Sequence, residues 1–118
     1  TPCKRIQVYC FSGIPKFIIK LHNDYEITIY NDKFNIIEDK FGFGEQKINV
    51  EADYITKQSF DLSVRLSKNF EFARVDFMIY QNKLYFEEIT FTPHSGFRKF
   101  LNHKFNKYLG TLINLERG

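Results

Sequence analysis

The stretch that decides the fold is Phe72–Tyr80 (FARVDFMIY) and, after a short polar turn, Leu84–Phe91 (LYFEEITF). Both segments are rich in aromatic and branched apolar residues, which predicts the two strands of a β-hairpin. Each strand carries a carboxylate, and Asp76 lies inside an otherwise apolar run. A lone buried carboxylate costs free energy unless it finds a cation or hydrogen-bond donors. We therefore expect Asp76 to have a specific partner.

The register of the hairpin decides which carboxylates meet. A Gln81–Lys83 loop places Asp76 directly opposite Glu88, whereas an Asn82–Lys83 loop moves Glu87 to the Asp76 face, because a one-residue slip reverses every side chain. The apolar pattern leaves both registers open. In the first register the two like charges destabilise the sheet. A Mg²⁺ ion between them would turn that repulsion into a ligand set, since Mg²⁺ prefers carboxylate oxygens, waters and phosphates.

Composition indicates a single domain over residues 1–118 with a substantial core, because 43% of the residues are hydrophobic and 14 Phe and 7 Tyr are present. The net charge of +3 and the pI near 8.8 are compatible with an anionic ligand such as a nucleotide or an acidic sugar. Lys and Arg form no cluster, so no nucleic-acid partner is predicted. The apolar runs are too short to predict a membrane span.

The two cysteines, Cys3 and Cys10, lie seven positions apart with no Cys-x-x-Cys spacing. This pattern does not indicate a zinc site. It is typical of reduced, structural thiols, and it predicts a cytoplasmic location.

The rest of the chain predicts an α+β fold, with a mainly antiparallel sheet and helices packed on one face. The first half has short strands between turn residues, and Glu38–Asp53 is irregular. A first helix is predicted at Lys57–Asn69, capped by Thr56 or Ser59. The apolar residues expected to pack this helix on the sheet recur at helical spacing: Phe60 with Val64, and Leu62 with Leu66. The other predicted elements are strands at Lys4–Phe11, Lys16–Leu21, Tyr25–Tyr30 and Phe34–Ile37, and a last helix at Asn102–Glu116.

Two motifs carry a family resemblance. Arg74-Val-Asp76 followed by Glu88-x-Thr90-x-x-Pro93 resembles the end of an ATP-grasp domain. More narrowly, Cys10-Phe-Ser-Gly-x-Pro-Lys-Phe and the block from Tyr85-Phe-x-Glu88-Ile-Thr90 through Thr-Pro93-x-Ser-Gly-Phe resemble the TupA-like ATP-grasp family. That family is associated with teichuronopeptide and other cell-surface polysaccharide biosynthesis in bacteria.

The resemblance implies ATP and Mg²⁺ as cofactors. In this superfamily a substrate carboxylate attacks the γ-phosphate to give an acylphosphate, and a nucleophile then displaces phosphate. By motif position, Asp76 and Glu88 are implied metal ligands and contact the cofactor. Arg74 is the implied catalytic residue, because a planar cation suits a phosphate or acylphosphate. Thr90 stands where the superfamily often has Asn, and it is an implied cofactor contact.

The resemblance also implies partners. The superfamily's glycine-rich loop, phosphate-binding lysines and adenine-binding strand have no counterpart in the matched segments. We therefore expect the chain to be the C-terminal portion of a larger ATP-dependent carboxylate ligase, acting with a missing N-terminal ATP-grasp half on a nucleotide and an acidic saccharide or amino-acid substrate. The alternative is a catalytically inactive ATP-grasp remnant, or a glycosyltransferase-associated structural or binding domain.

Overall fold

The structure is a computed structural model that describes residues 4–37 and 46–91. In this part the chain forms a six-stranded sheet in the order β4-β3-β2-β1-β5-β6 and one helix. Neighbouring strands are antiparallel except β4, which runs parallel to β3. The elements are β1 Lys4–Phe11, β2 Ile14–Leu21, β3 Glu26–Asn31, β4 Gln46–Lys47, α1 Tyr54–Leu66, β5 Phe72–Tyr80 and β6 Lys83–Thr90. The mainly antiparallel sheet is confirmed, and a sheet with one helix is compatible with the predicted α+β class; the packing of several helices on one face stays a prediction.

Both faces of the sheet are apolar near its centre, which explains why the strands lack a simple polar alternation. Helix α1 packs on one face through Ile55 and Phe60. The core residues on the α1 face are Ile6, Val8, Cys10, Ile18, Tyr30, Val75, Phe77 and Ile79. The opposite face buries Tyr9, Phe11, Phe17, Ile19, Ile27, Ile29 and Phe72. The thiol of Cys10 is free and buried, and burial raises its pKa to about 11.

The β1–β2 turn brings the backbone close to the end of α1. Ser12 and Gly13 both have positive φ, of 53° and 79°. A Cβ atom at Gly13 would lie 3.1 Å from the backbone oxygen of Lys68. The turn therefore requires glycine both for its left-handed conformation and for space.

The start of α1 differs from the prediction. The helix begins at Tyr54, and its cap is Asp53 rather than Thr56 or Ser59. The Asp53 carboxylate accepts hydrogen bonds from the backbone N and the hydroxyl of Thr56, at 2.9 and 2.8 Å. Its other oxygen lies 2.9 Å from Nζ of the buried Lys20. Burial would raise the pKa of Asp53, but the bonds from Thr56 and Lys20 lower it to about 2.

The buried side of α1 also differs from the predicted stripe. The fully buried helix residues are hydroxyl side chains, namely Thr56, Ser59 and Ser63. Small side chains let the helix approach the sheet closely, and Ser59 satisfies its hydroxyl on a backbone oxygen at 2.6 Å. Of the predicted apolar set, Phe60 packs edge-on against Phe34, whereas the residues left partly exposed are Leu62, Val64 and Leu66.

The β5–β6 hairpin closes on a two-residue loop that differs from both predicted loops. Tyr80 pairs with Lys83, so the loop is Gln81–Asn82. Both loop residues have positive φ, 49° and 60°, as a type I′ turn requires. A β-bulge then shifts the register between Asp76 and Phe77.

Two further expectations need correction. Phe34–Ile37 is not a strand, because only an isolated bridge joins Tyr30 and Ile36. The segment expected to be irregular contains the short strand β4. The predicted last helix and Cys3 lie outside the described residues. Within residues 4–37 and 46–91, no helix has the length and apolar character needed to cross a membrane.

Candidate functional site

The central strands bring the predicted site residues together on one face of the sheet. In β1, β5 and β6, Gln7 lies opposite Asp76, and Asp76 lies opposite Glu88. We call Gln7, Asp76 and Glu88 the carboxylate row. The next row along the strands contains Tyr9, Arg74 and Thr90, and we call it the guanidinium row. Alternation of side chains along each strand places both rows on the face opposite α1, which we call the site face.

The β-bulge explains why Asp76 meets Glu88 despite the shorter loop. Phe77 pairs with Phe86, but Asp76 pairs with Glu88, so Glu87 is the extra residue. A bulge re-aims side chains and increases local twist. Here it returns Glu88 to the site face. Glu87 also contacts that face, because it lies 3.6 Å from Arg5, two positions before Gln7 on β1. The predicted pairing of Asp76 with Glu88 is therefore confirmed, through a turn and a bulge that were not predicted.

Arg74 and Asp76 form a buried, two-bonded ion pair. Arg74 Nε donates to Asp76 Oδ1 at 2.9 Å, and Nη2 donates to Oδ2 at 2.8 Å. The side chains are 1% and 8% exposed. Charge-assisted pairs of this geometry are stronger than neutral hydrogen bonds. The partner that a buried Asp76 requires is thus Arg74, two positions earlier on the same strand.

The positive charge of Arg74 is held firmly. Burial would lower the pKa of Arg74, but the hydrogen bonds and negative charge of Asp76 raise it overall. Burial also raises the pKa of the neighbouring Tyr9 well above its usual value, although the charge of Arg74 acts in the opposite direction. The site face therefore presents a permanent cation and a neutral phenol beside the carboxylates.

The donor set of the carboxylate row suits a hard cation. A carboxylate offers about four lone-pair sites, of which Arg74 takes two on Asp76, so a metal bond to Asp76 is compatible with the pair. Glu88 is exposed and forms no ion pair within the described ranges. Within those ranges no three His, Cys, Asp or Glu side chains are grouped around one point. An ion here must therefore take further ligands from other oxygens, as Mg²⁺ does with waters and phosphates.

Comparison with protein families shows to which family a chain with this arrangement belongs. A model described as TupA-like ATPgrasp matches residues 1–114. The chain belongs to the TupA-like ATP-grasp family. Searches of curated proteins and of solved structures gave no match. Membership supports an ATP-grasp-related role, and ATP-grasp proteins in general bind ATP with a divalent metal ion.

The structure brings all four predicted residues of the TupA-like motif into these two rows. Asp76 and Glu88 are cross-strand neighbours, and Arg74 and Thr90 are cross-strand neighbours beside them. The motif continues into Pro93–Phe97, which lies outside the described residues.

Sequence reasoning missed the contribution of β1 to this face. Gln7 and Tyr9 are the β1 neighbours of Asp76 and Arg74. Their signal was the alternation of Gln7 and Tyr9 with the apolar Ile6 and Val8. It identifies a face, but it does not reveal that β1 pairs with β5 rather than only with its sequence neighbour.

Proposed function

We propose that the site face is the magnesium- and phosphate-binding wall of an ATP-dependent carboxylate ligase that acts in bacterial cell-surface polysaccharide biosynthesis. The observation that carries the proposal is the direct pairing of Asp76 with Glu88, on the same face as the buried Arg74. Family membership supports ATP as the nucleotide. The polysaccharide pathway and activation of a substrate carboxylate as an acylphosphate are inferred from the resemblance.

Each residue has a distinct role in this proposal. Asp76 and Glu88 would hold Mg²⁺, which supplies neutralisation of the charge on the nucleotide phosphates. Arg74 directs Nε and Nη2 at Asp76, so its Nη1 is the donor for an anionic oxygen. Thr90 stands beside Arg74 and is the proposed further contact to the cofactor.

In the described part of the chain, the site face offers phosphate the guanidinium of Arg74, while that of Arg5 is paired with Glu87, and ATP binding in this superfamily uses more cationic groups. We propose that an N-terminal ATP-grasp half supplies the glycine-rich loop and the lysines. Lys20 does not fill that role, because its Nζ is buried against Asp53 on the α1 side of the sheet. The acceptor would be an acidic saccharide or an amino acid.

Titration of the full chain with Mn²⁺, followed by electron paramagnetic resonance with and without ATP, tests the proposal. Glu88→Gln removes one charge from the carboxylate row and should weaken Mn²⁺ binding at least about tenfold, the lower end of losses around metal ligands. Glu51→Gln is the matched control, because it makes the same change at an exposed residue just before α1, away from the site face, and it should leave the affinity unchanged. Absence of binding by the wild-type chain, or equal effects of the two variants, would contradict the proposal.

A second candidate is a catalytically inactive remnant of the ATP-grasp fold. It is favoured by the closed Arg74–Asp76 pair, in which both carboxylate oxygens already accept hydrogen bonds. This candidate predicts that the chain does not bind Mn²⁺, with or without ATP, whereas the ligase proposal predicts Mn²⁺ binding at Asp76 and Glu88. The same titration therefore separates the two.

A further inference from the structure

Gln7 is the one member of the carboxylate row that is not acidic. It lies on β1, directly opposite Asp76, with Glu88 beyond Asp76 in the same row. Its Oε1 atom is buried and accepts no hydrogen bond within the described part of the chain. Buried polar atoms are almost always paired, and an exception calls for an explanation such as an ion or a water.

The guanidinium row contains a buried hydrogen-bond donor, whereas Gln7 Oε1 is an acceptor. Arg74 Nη1 is buried and meets no acceptor in good hydrogen-bond geometry within residues 4–37 and 46–91, although the Tyr9 hydroxyl lies close enough to Arg74 to raise its pKa. Gln7 Oε1 is an acceptor and Nη1 is a donor, yet they do not satisfy each other. The oxygen suits a cation or a donor, and the N–H suits an anion. A divalent cation that carries an anionic oxygen ligand would satisfy both groups at once.

We infer that Gln7 Oε1 is a third oxygen ligand of the divalent cation held by Asp76 and Glu88. The inference rests on the proposed function and extends it to a residue outside the motif. Amide carbonyl oxygens are ordinary ligands of hard divalent cations. Directly opposed side chains on adjacent strands have Cβ atoms about 4.5–5.5 Å apart. Gln7 and Glu88 therefore flank Asp76 on both sides, and their longer side chains can converge above it.

A purely structural role for Gln7 predicts that replacing it lowers thermal stability, whereas a role as a metal ligand does not. A structural amide would form hydrogen bonds whose removal destabilises the fold. Since Oε1 has no donor in the described part, replacing the amide by an apolar group of similar size should leave thermal stability unchanged or raise it. Metal affinity and stability should therefore respond differently to the same substitution.

Mn²⁺ titration of the full chain, read by electron paramagnetic resonance, tests the inference with three variants. Gln7→Leu removes the oxygen and should weaken Mn²⁺ binding at least about tenfold, without a loss of thermal stability. Gln7→Glu supplies a charged oxygen and should bind Mn²⁺ more tightly than wild type. Gln58→Leu makes the matched change on α1, on the other face, and should have no effect.

The outcomes separate this inference from the proposed function. Wild-type affinity in Gln7→Leu, together with weakened binding in Glu88→Gln, would overturn the role of Gln7 and leave the cation site standing. Absence of Mn²⁺ binding by the wild-type chain would overturn both. If Gln7→Leu does not fold, Gln7→Glu decides, because a gain in affinity supports ligation and an unchanged or weaker affinity overturns it.

Discussion

Removal of the Arg74 guanidinium should be the most damaging single change on the site face. The Asp76 side chain is 8% exposed, and Arg74 supplies two donors to its carboxylate oxygens, at 2.8 and 2.9 Å. Arg74→Met keeps the bulk of the side chain but leaves a buried carboxylate without them. Breaking one side of a buried ion pair typically costs about 3–5 kcal/mol. For a domain of this size that corresponds to a fall in Tm of about 12–20 °C.

A double substitution separates two contributions to the free energy of unfolding: the penalty for leaving Asp76 charged and buried without Arg74, and the net contribution of the ion pair. Replacement of a whole buried ion pair by apolar residues is often neutral or stabilising. Arg74→Met/Asp76→Leu should therefore recover most of the stability that Arg74→Met loses. The coupling energy from the complete cycle should be several kcal/mol.

Urea unfolding followed by far-ultraviolet circular dichroism measures the four free energies of unfolding. Arg65→Met is the control, because Arg65 is exposed near the end of α1 and should change stability by less than about 0.5 kcal/mol. The reasoning is refuted if Arg74→Met costs less than about 1 kcal/mol. It is also refuted if the double variant is as unstable as the sum of the single variants, since the two charges would then not depend on each other.

Three further changes test the local structure. Asp53→Asn keeps the helix cap but removes the charge, whose folded pKa is about 2 and whose side chain is 50% exposed. In urea melts we expect a loss of about 1 kcal/mol of unfolding free energy at pH 7. The loss should fade as the pH falls from about 4 towards 2, because the stability from a lowered carboxyl pKa is present only above that range. A loss that does not depend on pH would contradict this. Gln81→Asn with Asn82→Gly supplies the residues that a type I′ turn favours and should raise Tm by about 2–4 °C; no gain would argue against that turn. Gly13→Ala should cost about 1–2 kcal/mol in a urea melt because φ is 79° and the backbone of Lys68 is near, and a neutral effect would contradict this geometry.

The strands that build the site could be predicted from sequence because their apolar runs end at turn residues. Lys4–Phe11 and Phe72–Tyr80 have the predicted bounds. The pairing of Asp76 with Glu88 was one of two open registers. It depends on a bulge at Glu87, and a bulge leaves little trace in an apolar pattern that covers both faces of the hairpin.

In α1, the sequence failed to predict which side of the helix packs on the sheet. Its apolar residues have helical spacing, but the side that packs on the sheet is lined by Thr56, Ser59 and Ser63. Small hydroxyl side chains are read as polar in a sequence, although their size permits close packing; Ser59 satisfies its hydroxyl on the backbone oxygen of Thr56, and Thr56 on the Asp53 carboxylate.

The role of Asp53 as the cap was missed because the helix was predicted to begin at Lys57, three residues after its observed start at Tyr54. Only the ion pair of Asp53 with Lys20 is distant in sequence.

For the site itself, the feature that the sequence does not predict is the pairing of β1 with β5. Arg74, Asp76, Glu88 and Thr90 are close in sequence and could be found by motif. Gln7 is brought to them only by a long-range strand pairing that neither spacing nor composition encodes locally.

The most direct test of the central claim is where a bound metal–nucleotide lies on the sheet. Nuclear magnetic resonance of the ¹⁵N-labelled chain, with MnATP compared against MgATP, maps this through paramagnetic broadening of amide signals. The account predicts the strongest broadening around Gln7, Asp76 and Glu88, and weaker broadening at α1, which packs on the other face of the sheet. Broadening centred on α1, or spread evenly over the chain, would contradict it.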